Sequence, residues 1–136
     1  MDDMKIAVVG SRAYGNSRKV KEFIYELKQR FGTDLMIISG GAKAGADKYA
    51  RKFALEFGIN YEEYNPAHTP RNLYSAMHRT YYSKPYHVSQ FHHRNKLIAK
   101  ACDMLIAFAP TDNLSNGTAS IIAFAKKLNK KVLIIT

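Results

Sequence analysis

Cysteine is almost missing from this 136-residue sequence: Cys102 stands alone, in an apolar run. A lone thiol excludes a disulfide framework and fits a reducing compartment, so a cytoplasmic protein is expected. Long apolar runs are missing too. None approaches the roughly 20 residues that a membrane span requires, and the opening "MDDMKIAVVG" lacks the basic segment of a secretory signal. No membrane partner is expected. Carboxylates are the third scarcity. The chain has 21 Lys and Arg against 11 Asp and Glu, a net charge of +10. Residues 1–63 hold 11 basic and 9 acidic side chains, whereas residues 64–136 hold 10 and 2. No carboxylate occurs between Glu63 and Asp103, and all five histidines lie in that interval. A field of this sign favours an anionic partner: a nucleotide, a nucleic acid or another phosphate.

What is present is a rhythm. "KIAVVG" (5–10), "DLMIIS" (34–39), "CDMLIAF" (102–108) and "KVLIIT" (131–136) are short, continuous and rich in Val, Ile and Leu, as strands buried on both faces of a parallel sheet are. All four are expected at central or near-central positions. "INYEEY" (59–64) alternates only in part and reads as an edge strand. Helical patterns separate these runs. In "SRKVKEFIYELKQRF", Val20, Phe23, Ile24 and Leu27 share a face, with Ser17 as N-cap and Gly32 as stop. "GADKYARKFALEFG", "QFHHRNKLIAKA" and "GTASIIAFAKKLNK" supply three more helices. The alternation predicts an α/β fold, a Rossmann-like three-layer sandwich whose parallel sheet has about five strands ordered 3-2-1-4-5. The whole chain, 1–136, reads as one domain. Its one irregular part is a Tyr/His-rich insert at about 65–90, holding three prolines and four tyrosines, in which "PRNLYSAMHRTYY" predicts a short helix after Pro70. A loop this long in a compact domain usually carries function.

Ligands of open α/β sheets sit outside the carboxyl ends of the strands. Three strand ends here run through glycine into a helix: Gly10-Ser11-Arg12, then Ser39-Gly40-Gly41-Ala42 through Gly45 to Asp47, and Asn116-Gly117-Thr118 after Pro110. Each pairs a pliable turn with a helix N-terminus, where free amides and the helix dipole attract an anion. Arg12, just past a strand end, suits a phosphate clamp. "GSRAYG" is neither a P-loop nor a dinucleotide fingerprint, so ATP hydrolysis of the P-loop type is not expected.

Taken in order, Gly10-Ser11-Arg12, Ser39 to Asp47, Arg94-Asn95 and Gly117-Thr118 resemble the SLOG superfamily, which unites the DNA-processing Smf/DprA proteins with the Lonely-guy phosphoribohydrolases; the likeness is strongest to its small stand-alone YspA-like branch. The resemblance implies a nucleotide or nucleotide-derived ligand. It implies that the Ser39–Asp47 turn cradles its phosphate or ribose, that Arg94 and Asn95 reach it, and that Gly117 and Thr118 add backbone and hydroxyl contacts. The phosphoribohydrolase branch carries a catalytic glutamate after its Gly-Thr; the matching position here is Ile121. Cleavage of an N-glycosidic bond needs carboxylate help, and Asp47 and Asp112 are the carboxylates expected near the site. Catalytic residues are therefore left unassigned.

Three readings follow: a protein that senses or sequesters a nucleotide-derived ligand, an N-glycosidic hydrolase, and a nucleic-acid binder related to Smf/DprA. Tyr74, Tyr81, Tyr82, Tyr86 and Phe91, interleaved with Arg79, Lys84 and Arg94, suit a lid that stacks on bases or, equally, the contact surface of a homo-oligomer. His87, His92 and His93 lack an accompanying cysteine or carboxylate, and adjacent helical residues diverge by about 100°. No metal and no cofactor are expected.

Overall fold

The computed structural model describes residues 3–111 and 114–136. Asp112 lies outside the described residues. Strands and helices alternate as β1 (Met4–Gly10), α1 (Ser17–Phe31), β2 (Leu35–Ser39), α2 (Gly45–Glu56), β3 (Asn60–Glu63), α3 (Ser89–Ala101), β4 (Met104–Phe108), α4 (Asn116–Lys127) and β5 (Lys131–Ile135). Every strand pair is parallel, and the order is β3-β2-β1-β4-β5, as the alternation predicts.

Strand periodicity builds the three layers. In β1, Ile6 and Val8 turn to one face, where Val20 and Ile24 of α1 and Ala50 and Phe53 of α2 cover them. Ala7 and Val9 turn to the other, under Ile98 of α3 and Ile121 and Ile122 of α4. β4 repeats the division, with Ile106 and Phe108 on the first face and Leu105 and Ala107 on the second. Both faces of the central strands are dry, which is why these runs are continuously apolar.

Three local expectations need correction. The run at 131–136 is not near-central. β5 is the outer strand beyond β4, and Leu133 and Ile134, on opposite faces, are 36% and 43% exposed; each face is covered only in part, by Val132 on one side and Ile135 on the other. Helix α1 is capped by Asn16, whose side chain accepts from the Lys19 amide at 3.1 Å, and not by Ser17. The predicted helix after Pro70 does not form. Instead the Asn72 side chain accepts from the Tyr74 amide at 2.8 Å, a local bond that competes with helix. The Glu63 amide then donates to Tyr74 O and the Ala76 amide to Glu63 O, both at 2.8 Å, so residues 74–76 run along the outer side of β3. The one helical turn of the insert is a 3-10 turn at Arg79–Tyr81.

Candidate functional site

The strand order reverses between β1 and β4, and a cavity of about 560 Å³ opens over the carboxyl ends of these strands. Gly10, Ser11 and Arg12 form one wall, and Asn116, Gly117 and Thr118 at the start of α4 form another. Ser115 caps α4, its hydroxyl accepting from the Thr118 amide at 3.3 Å and donating to Thr118 Oγ1 at 3.0 Å. The first turn of α4 therefore faces the cavity with a helix's positive end. Phe91, His92, Arg94 and Asn95 of α3 close the third side, with Tyr86 and Val88 at the rim.

Arg94 links these walls to the β2–α2 turn. Its Nη1 donates to Gly40 O at 2.5 Å and Tyr64 O at 3.3 Å, and its Nε donates to Asn95 Oδ1 at 2.9 Å. Burial lowers the pKa of Arg94, against the opposing pull of Asp47. Asp47 is itself buried, with Oδ2 accepting from the Ala42 amide at 3.1 Å and Oδ1 lacking any partner. Burial pushes the Asp47 carboxyl up to about 6, against the lowering effects of Arg94, the Ala42 amide and Arg12. An unsatisfied buried carboxylate oxygen is costly unless something completes it, and Asp47 borders the cavity.

The glycines of the β2–α2 turn answer to protein packing first. Gly45 has φ +69, and a Cβ there would collide with Ser11 O and the Arg12 backbone. The neighbouring Ala46 amide donates to Ser11 O at 3.2 Å. The start of α2 is thus occupied by the β1–α1 loop. Gly41 has φ +72, and a Cβ there would sit 2.8 Å from Asn65 Nδ2 and 3.2 Å from Glu63 Oε2.

Those two side chains belong to a buried network beneath a second cavity of about 540 Å³, over the ends of β2 and β3. Glu63, 1% exposed, accepts from Tyr61 OH at 2.9 Å, Asn65 Nδ2 at 2.7 Å and Asn72 Nδ2 at 2.8 Å, and pairs with Arg51 at 3.4 Å. Tyr61 OH gives its proton to Glu63, so Ser39 Oγ, 2.7 Å away, donates to Tyr61. Burial raises the pKa of Tyr61 far above the ordinary phenol value. Asn65 Oδ1 accepts from Tyr82 OH at 2.9 Å and Ser75 Oγ at 2.8 Å.

Of the residues expected at a ligand site, Gly10, Ser11, Arg12, Gly40, Ala42, Asp47, Arg94, Asn95, Asn116, Gly117 and Thr118 all border the first cavity. Gly41 borders only the second. Ser39 is fully buried beneath both, and Gly45 is buried against the β1–α1 loop. Of the expected lid residues, Tyr86 borders the first cavity. Tyr82 is a buried member of the Glu63 network, and Tyr74 packs edge-on to Tyr61 under the Arg51 guanidinium. Tyr81 stacks on His93, while Arg79 is exposed and borders neither cavity. Among the described residues, no group of His, Cys, Asp or Glu is placed to hold a metal.

Residues 4–69 match the family described as YspA, cpYpsA-related SLOG. The match covers a little under half of the chain and is to a family of the SLOG superfamily. Similar solved structures agree on the fold. The DNA processing protein A of Helicobacter pylori, described for its single-stranded DNA binding mode, superposes with a TM-score of 0.72 at 21% identity, covering 98% of this chain and 65% of its own. The molybdenum cofactor binding protein of Rippkaea orientalis gives 0.69 at 19% identity, covering 98% and 77%. The molybdenum cofactor carrier protein of Chlamydomonas reinhardtii gives 0.65 at 20%, covering 97% and 76%. At such identities the likeness establishes the fold alone. No curated protein sequence matches the chain.

Within this fold, sequence reading missed Glu63 and its partners. Glu63 ends a half-polar strand run and looks solvated there; only the pairing of "NP" at 65–66 and "RN" at 71–72 around it offered a signal. Sequence reading also missed Ser115 as the N-cap of α4, for which a serine directly before the "NGTAS" helix start was the available signal.

Proposed function

We propose that this chain binds a nucleotide or nucleotide-derived small molecule in the cavity between β1 and β4, as a sensing or sequestering unit. The observation that carries the reading is one juxtaposition at the point where the strand order reverses: the first turn of α4, the exposed Arg12 and the anchored Arg94 converge on a cavity bordered by Asp47, whose buried Oδ1 has no partner. The helix start and Arg12 suit a phosphate, and Arg94 sits behind them as a fixed positive charge. Asp47 Oδ1 suits a ligand donor such as a sugar hydroxyl or a base amine, which would supply its missing hydrogen bond. The volume lies within the range of small-molecule sites, ~300–1,000 Å³. Calorimetric titration with a panel of 5′-nucleotides tests the reading. Binding that weakens by about 1–3 kcal/mol in Arg12→Ala, with an unchanged melting temperature, is the expected result. A panel with no binder at all would reject it.

A second reading has a specific observation in its favour. A carboxyl group with pKa of about 6, in a cavity wall and with one partnerless buried oxygen, is suited to general acid–base work near neutral pH. Ile121, 3% exposed in the cavity wall, brings no carboxylate to the family's usual catalytic position. Chromatography of nucleotides incubated with the protein decides: released base that disappears with Asp47→Asn establishes hydrolysis, and intact nucleotide leaves binding alone.

A further inference from the structure

The two cavities are neighbours with a common wall. Arg12, Gly40, Ala42, Phe91 and Arg94 border both, so a ligand seated over β1 and β4 can extend over β2 and β3 without leaving the carboxyl edge. Their volumes, about 560 and 540 Å³, are nearly equal. Their electrostatics differ. The second is bordered by Arg12, Lys43, Arg51, Arg71 and Arg94, with Glu63 its only carboxylate. That carboxylate is already occupied by Tyr61, Asn65, Asn72 and Arg51. Arg51 pairs with that carboxylate, which leaves Arg12, Lys43, Arg71 and Arg94 as the further cations around the cavity. Solubility alone does not explain why basic side chains from the β1–α1 loop, the β2–α2 turn, α2 and the 65–72 stretch meet over one buried, saturated carboxylate.

We propose that the cavity over β2 and β3 is a second anion subsite, and that the ligand is a dinucleotide whose linking phosphates lie at the shared wall, between Arg12 and Arg94. The proposal rests on the reading of the first cavity as a nucleotide site. One nucleoside occupies each cavity, and the phosphate link crosses Gly40–Ala42, where the chain has least side chain in the way. Lys43 and Arg71 reach the second half from two sides. Both are exposed and border only the second cavity, so reversing their charges tests it without disturbing the fold.

Calorimetry on the wild-type protein and on the double variant Lys43→Glu/Arg71→Glu would use three probes. These are the four 5′-mononucleotides, dinucleotides of the same bases joined by a pyrophosphate or by a phosphodiester, and a single-stranded 12-mer. The expected result is a dinucleotide that binds wild type at least tenfold more tightly than either mononucleotide. The double variant should lose that gain and keep its mononucleotide affinity. Equal affinities for the mononucleotides and dinucleotides would overturn the second subsite while leaving the first cavity's role standing. A dinucleotide gain that survives the double variant also overturns it. A 12-mer binding far more tightly than any dinucleotide, with a steep dependence on salt, would replace the proposal with a nucleic-acid track. No binding of any probe would remove both readings together.

Discussion

Asp47 is the residue with the sharpest physical signature. Its pKa stands at about 6 in the fold against an ordinary 3.8, because burial disfavours the charged form more than Arg94 favours it. A folded-state value above the unfolded one means that the folded chain holds this proton more firmly. The contribution of Asp47 to stability is therefore complete below pH 3.8 and is lost as pH rises through 6, a change of about 3 kcal/mol. Asp47→Asn keeps an acceptor for the Ala42 amide and removes the charge. It should raise the melting temperature at pH 7.5 and leave it nearly unchanged at pH 4, as scanning calorimetry at the two pH values would show. A nucleotide that donates to Oδ1 should at the same time bind the variant less tightly.

Arg94 makes the opposite point. Its guanidinium fork serves the carbonyls of Gly40 and Tyr64 and the side chain of Asn95 at once. An ammonium cannot reproduce that geometry. Arg94→Lys should therefore cost about 1–3 kcal/mol of stability in urea denaturation, in addition to any loss of ligand affinity. Arg12, which is exposed, should show the second effect without the first. Equal unfolding midpoints for wild type and Arg94→Lys would show that those carbonyl bonds contribute little.

Among the elements, the insert at 65–90 is held to β3 by two backbone hydrogen bonds at residues 74–76 and by a network of side chains. Glu63, Asn65, Asn72, Ser75 and Tyr82 tie it to β3 across gaps of up to 17 residues. Tyr82→Phe removes one donor to Asn65 Oδ1 while Ser75 still supplies another. We expect faster amide exchange confined to residues 65–82, with the sheet's protection unchanged. Acceleration across β1 and β4 as well would mean that the insert supports the core.

The same insert shows where sequence reading stops. Strands β1, β2 and β4 were legible because burial on both faces leaves a continuous apolar run, and helices α1 and α2 because their covered stripes recur at helical spacing. The start of α4 was legible because its glycine and polar residues sit together in sequence. The Glu63 network was not. Its members are polar residues whose partners are fixed only once β3 and the insert come together, and no local spacing encodes that meeting. For the same reason Tyr82 read as a lid aromatic, although its hydroxyl is buried on Asn65. The outer position of β5 was missed because a run such as "KVLIIT" is equally apolar whether its two faces are covered fully or only in part.

At the scale of the whole molecule, the charge of +10 is uneven in a way the fold makes useful. The acid-free interval 64–102 contributes Arg71, Tyr86, Phe91 and Arg94 to the carboxyl edge, where both cavities open. Long-range attraction should therefore assist a small anion's approach and fade with ionic strength. A nucleotide or dinucleotide displaces few counterions, so the logarithm of its affinity should fall with the logarithm of salt concentration with a slope of about 1–3, against steeper values for a strand that covers many phosphates. Titrations from 50 to 300 mM salt, the working range, would read this directly. A slope well beyond that range would mark a polyanion as the partner.

The closure of α2 onto Ser11 carries a mechanical consequence. With the Ala46 amide on Ser11 O and no room for a side chain at Gly45, the loop that carries Arg12 is packed directly against the start of the helix that carries Asp47. An enlarged side chain at position 45 should therefore push the Arg12 loop and the start of α2 apart, and disturb both walls at once, before it touched any ligand.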